Sequence, residues 1–292
     1  MAEPILEIST RAPLPEGVDL ASQLQVVSGS FNPAPTNLLI FIHGFNDTRA
    51  FAEGAYEEFL DHSGLANYPL VGSPCFFHWP GNRNWGIFSV AAYVVDPDYA
   101  TKSAALLYGF LVSPQVCGLK PMQITLLTHS LGGRVALELL KLAAADSANP
   151  LRPRFNVLCM MAAAVIVSAV QPSGYLAPAV RLPARTAVLY SNSDDVLKLG
   201  FPIGETVAGE AFFPTAVGHA GDPSVLWNVR PDMGVYQYGH SSYWPGTQSA
   251  AFVSSYLTGT TLPPPPNRST PVQAIASRTL PPPAVISSRT IG

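Results

Sequence analysis

The chain has 292 residues, 48% of them hydrophobic and only 12% charged, with a formal net charge of −3. That is enough apolar material for one substantial core and too little basic charge for a nucleic-acid surface. Three widely spaced cysteines, Cys75, Cys117 and Cys159, argue for buried thiols rather than a disulfide framework or metal cluster.

The first 23 residues read as an N-terminal extension, residues 24–261 as one α/β domain, and residues 262–292 as a tail. No basic segment followed by an apolar core opens the chain, and the longest apolar stretch, 157–170, is too short to span a bilayer; a cytoplasmic location without a stable membrane span is expected. Apolar and β-branched runs at 24–27, 38–42, 74–77, 124–127, 157–161, 187–190 and 225–229 predict strands. Helical periodicity predicts helices over 49–62, with Phe51, Ala55, Phe59 and Leu60 as its apolar stripe, and over 99–112, 131–145 and 248–257. Strands alternating with helices imply a mainly parallel central sheet with helices on both faces, and chemistry beyond the carboxyl ends of the strands.

The run 38–42 leads straight into His43-Gly44-Phe45-Asn46. Glycine lets the backbone turn closely there, so the Phe45 N–H can point into a site as an oxyanion donor, and His43 is read as bracing the loop rather than acting as a base. The run 124–127 ends in Thr128-His129-Ser130-Leu131-Gly132, which reads as a nucleophile elbow: a sharp strand-to-helix turn projecting Ser130, with the Leu131 N–H as second oxyanion donor. The bland alternative is a helix-capping serine. Gly132 meets the demand for small residues around such a turn, whereas Thr128 fits less well than glycine. On the helix that follows, Leu131, Val135, Leu139 and Leu140 face one way, and Arg134, Glu138 and Lys141 fall largely on the other side.

Past the strand 187–190 comes Ser191-Asn192-Ser193-Asp194-Asp195, a loop that can carry the acid of a triad; Asp194 is preferred, with Asp195 the alternative. The chain order serine, acid, histidine leaves His219 and His240 as bases. His240 follows the strand 225–229 and a turn, and so can return over Ser130, whereas His219 precedes that strand. Between Phe77 and Trp85 a loop beside the site offers Trp79 and Trp85, either as lining of an acyl or aromatic pocket or as core packing. The proline-rich tail reads as extended or disordered, either inert or a proline-recognition ligand.

Four segments in register, His43-Gly44-Phe45-Asn46, Phe77-His78-Trp79-Pro80, Thr128-His129-Ser130-Leu131-Gly132 and Gly239-His240-Ser241-Ser242-Tyr243, resemble a largely uncharacterised bacterial family of α/β hydrolases. That family carries a His-Gly-aromatic-Asn loop, a Trp-Pro strand end and a His-Ser-Met-Gly-type elbow. The resemblance covers roughly residues 24–258 and implies the α/β-hydrolase fold, a triad of Ser130, Asp194 and His240, oxyanion amides of Phe45 and Leu131, and no metal or organic cofactor. Ala162-Ala163-Ala164 stands where the family often has an Ala-Pro-Asp segment, which leaves the acid's role to Asp194 or Asp195. The expected function is hydrolysis of carboxylic esters, esterase- or lipase-like, through an acyl-enzyme on Ser130, with a small-molecule or lipid ester as substrate. Alternatives are a thioesterase or acyltransferase, or a non-catalytic binding protein with the tail as its interaction segment.

Overall fold

Seven strands form one sheet in the order β2-β1-β4-β3-β5-β6-β7: β1 (Leu6–Ala12), β2 (Asp19–Ser28), β3 (Asn37–Ile42), β4 (Ser73–His78), β5 (Gln123–His129), β6 (Arg154–Met161) and β7 (Arg185–Leu189). The computed structural model describes residues 5–14, 16–31, 36–45, 47–81, 96–209, 211 and 214–260. Every neighbouring pair is parallel except the β1–β2 ribbon. Helices cover both faces, which explains why the central strands are continuous apolar runs: Leu38 to Ile42 of β3 are fully buried, as are Ile124, Leu126 and Leu127 of β5. Each such side chain contributes about 1.5–3 kcal/mol relative to exposure.

The N-terminal boundary read from sequence is corrected here. Residues 6–12 are no extension: β1 pairs in parallel with β4, Leu6 opposite Cys75 and Ser9 opposite His78, and it carries β2 on its outer edge. Only Leu6 and Ile8 are apolar in the buried part of β1, while Glu7, Ser9, Thr10 and Arg11 are buried polar groups, so the strand lacked an apolar signature. The strand expected over 225–229 is also corrected. Ser224–Leu226 is a single helical turn and Val225 is exposed. The segment beyond it runs beside β7 through isolated bridges, Ala187 to Val229 and Tyr190 to Asp232. Pro231 has no N–H to give a ladder, and the Asn228 side chain, not a carbonyl, takes the Thr186 N–H at 2.7 Å.

Helix α1 (Arg49–Ser63) starts on the Thr48 hydroxyl, which accepts the Phe51 N–H, and stops at Gly64, whose φ of 65° suits the left-handed cap. Its buried stripe is Ala52, Tyr56, Phe59 and Leu60, one residue round from expectation, and Phe51 is exposed. The stripe is set by Tyr56, which packs on Phe41, Phe76 and Trp244 and donates its hydroxyl to the Phe77 carbonyl at 3.3 Å.

Helices α2 (Asp96–Leu111) and α3 (Gly132–Ala145) pack together, as do α1 and α5 (Thr247–Thr258), while α4 (Phe201–Ala208) follows a π-type turn over Val196–Gly200. Two of the three polar residues expected on the outer face of α3 are buried instead: Arg134 pairs with Glu138 at 3.1 Å, the half-buried Lys141 reaches the same carboxylate, and Tyr175 covers both cations. All three cysteines are free and buried. Among the described residues no helix is long and apolar enough to cross a membrane. Trp85, Asn46, and the tail assigned to 262–292 lie outside the described residues.

Candidate active site

The end of β5 makes a tight turn at Ser130, whose φ of 52° is a left-handed conformation that a serine adopts at a cost of about 1–3 kcal/mol. Surrounding bonds hold it there: the Ser130 N–H donates to the Met161 carbonyl at 3.0 Å, and the Ser130 carbonyl accepts the Gly133 and Ala164 N–H groups. The turn also needs small neighbours. A Cβ on Gly132 would stand 2.4 Å from the His43 carbonyl oxygen, and one on Gly44 would stand 2.8 Å from the Ser130 Cβ. Those two glycines let the 43–45 loop and the elbow pass at contact distance. Thr128 is tolerated at the end of β5 but fully buried, and its hydroxyl has no hydrogen-bond partner among the described residues.

Three side chains from three loops meet above this turn. His240 Nε2 lies 2.9 Å from Ser130 Oγ, and its Nδ1 lies 2.8 Å from Asp194 Oδ2. Asp194 is fully buried at the end of β7 and its other oxygen accepts the Leu197 N–H at 3.0 Å; Asp195 is exposed. A carboxylate can only accept, so Nδ1 carries the proton and Nε2 presents a lone pair to the serine hydroxyl. The loops that carry Asp194 and His240 are tied directly, since Ser191 Oγ donates to the Tyr238 carbonyl at 2.6 Å. His219 sits instead on the short helix Val217–Ala220 against β7.

His129 and His43 support the site from behind. The His129 ring donates from Nε2 to the His240 carbonyl at 2.8 Å, and burial pushes its pKa down to about 3, so it is neutral. His43 is fully buried and, as the sequence suggested, braces the loop: Nδ1 donates to the Gly44 carbonyl at 2.8 Å, and Nε2 accepts the Trp79 N–H at 3.2 Å. Burial first, and the neighbouring Arg11 second, hold the His43 pKa well below its usual 6.5. Trp79 takes the core-packing role. It is fully buried, stacked on His43 with centroids 5.7 Å apart, and its indole N–H donates to the His43 carbonyl.

Phe45 is half-buried next to Gly44, and no described backbone carbonyl takes the Leu131 N–H at the start of α3. Two further residues shape this loop and had no role in the sequence reading. Asp47 accepts the Gly44 N–H at 3.1 Å, and burial pushes its pKa up to about 6. Arg11, from β1, donates to the Asp47 carbonyl at 2.6 Å. Asp47 stands four residues after His43, a spacing visible in the sequence, whereas Arg11 lies on a strand whose buried positions are mostly polar.

A family model described as alpha/beta hydrolase of unknown function (DUF900) matches residues 24–209. A comparison with curated proteins found no match. Among solved structures, the chain is similar to the lin2722 gene product of Listeria innocua, at 10% identity and a TM-score of 0.41, covering 77% of this chain and 95% of that one. It is also similar to carboxyl esterase 2 of the mycorrhizal fungus Tuber melanosporum, at 10% identity and a TM-score of 0.36, covering 80% and 73% respectively. The family match takes in β3, the turn at Ser130 and the loop that carries Asp194, well over half the chain, and the protein belongs to this DUF900 family of alpha/beta hydrolases.

Proposed function

We propose that the protein is a serine hydrolase that cleaves carboxylic esters through an acyl-enzyme on Ser130. The observation that carries this reading is the unbroken hydrogen-bond line from Asp194 through His240 to a serine held at positive φ. His240 Nε2 takes the hydroxyl proton as Ser130 Oγ attacks the carbonyl carbon, while Asp194 holds the imidazole in the correct tautomer and stabilises the imidazolium. The oxyanion that forms is met by the backbone N–H groups of Leu131 and Phe45, the first of them also at the positive end of α3. His240 then gives its proton to the departing alkoxide, and water repeats the sequence to release the acid.

The small-molecule or lipid character of the ester is part of the proposal and is set by loops around the site. The test is hydrolysis of a p-nitrophenyl ester series by purified protein. Turnover that disappears in Ser130→Ala, and a preference along acyl chain length, are expected; equal turnover by Ser130→Ala would overturn the reading.

A further inference from the structure

Arg11 is a fully buried cation on a strand that lies outside the residues matched by the family. Taking a guanidinium out of water costs several kcal/mol unless its donors are met. Here the two Nη groups are met by nearby backbone, while Nε has no partner among the described residues. Nη2 donates to the Asp47 carbonyl at 2.6 Å and lies 3.4 Å from His43 Nε2, and Nη1 donates to the Gly17 carbonyl at 3.3 Å. The loop so held is the one whose Gly44 touches the Ser130 Cβ position, and Asp47 fastens it a second time through the Gly44 N–H. His43 and Asp47 are therefore both held from β1, and Gly44 between them lies against Ser130.

We propose that Arg11 is a positioning residue for ester hydrolysis: through Asp47 and His43 it sets the loop that presents the Phe45 N–H to the oxyanion, making the β1–β2 ribbon a working part of the site. The inference rests on the serine-hydrolase reading above. Oxyanion donors act only if they are fixed before charge develops, so loosening this loop costs transition-state binding and spares ground-state binding. Lysine cannot replace the guanidinium, because a single ammonium cannot span the Asp47 and Gly17 carbonyls and the His43 ring in one plane.

The test compares wild type, Arg11→Lys and Arg11→Ala on a p-nitrophenyl ester, with folding checked by circular dichroism and the wild type checked for fluorophosphonate labelling at Ser130. In Arg11→Lys, kcat is expected to fall roughly tenfold or more with KM within about twofold of wild type. Affinity for an alkyl boronic acid, which forms a tetrahedral adduct on the serine, should fall in step with kcat/KM, and added guanidinium should restore part of the activity of Arg11→Ala. If Arg11→Ala does not fold, Arg11→Lys decides alone. Unchanged kcat and boronate affinity in folded Arg11→Lys would overturn the inference while leaving the serine-hydrolase reading intact; failure of wild type to label at Ser130 would overturn both.

Discussion

Asp194 gives one oxygen to His240 and the other to the Leu197 N–H, whereas Asp195 faces solvent. Asp194→Asn should therefore lower kcat for ester hydrolysis by about 10³-fold or more, because the amide no longer enforces the His240 tautomer. Asp195→Asn should leave it near wild type, and steady-state kinetics on both variants checks the pair. The sequence favours Asp194 and leaves Asp195 as the alternative, since which of two adjacent side chains points inward depends on the π-type turn that follows them. Thr128 tells a different story. Its misfit with the elbow is visible in the sequence, and its cost is physical: a buried hydroxyl without a partner among the described residues. Thr128→Val keeps the shape and removes that group, so it should be neutral to about 1 kcal/mol more stable in urea denaturation; a clear loss of stability would show that the hydroxyl is satisfied in solution.

At the scale of elements, the site depends on how closely β3 and α3 approach. The His43 and Ile42 carbonyls lie where a Gly132 Cβ would stand, at 2.4 and 2.5 Å, and both belong to backbone that cannot swing aside as a side chain could. Gly132→Ala is expected to destabilise the protein by about 1–3 kcal/mol and to displace the Leu131 N–H. Urea melts together with turnover check this, and an alanine variant with wild-type stability and rate would contradict it. The central strands and the four longer helices anchoring the site were legible because apolar period and burial agree there; α1 shows the limit, since its stripe is turned by the aromatic partners of Tyr56, which come from β3, β4 and the segment before α5. The ribbon β1–β2 was illegible for the opposite reason. Its inner positions hold Glu7, Ser9 and Arg11, whose burial makes sense only beside His78, Arg49 and the 43–47 loop.

For the molecule as a whole, the buried histidines dominate the expected response to acid. His43 and His129 have folded pKa values below the ordinary 6.5, in each case chiefly through burial. The unfolded chain then binds protons first as pH falls, so stability is lost below about 6.5, by about 2 kcal/mol for His129 at pH 5. Asp47 acts with the opposite sign: its folded pKa of about 6 lies above the usual 3.8, so the fold takes up that proton first and regains about 1 kcal/mol by pH 5. The sum is a net loss, read as a falling urea midpoint between pH 7.5 and 5. His129→Gln should flatten that fall and Asp47→Asn should steepen it; a midpoint independent of pH in wild type would contradict the buried neutral assignments.

The claim on which the account turns is that Ser130 is an activated nucleophile, and the most direct measurement is stoichiometric reaction of the folded protein with a fluorophosphonate, mapped by peptide mass spectrometry. A single modification on Ser130, absent from Ser130→Ala and slowed in His240→Gln, is the predicted result. No modification of folded protein, or modification at another serine that persists in Ser130→Ala, would contradict it.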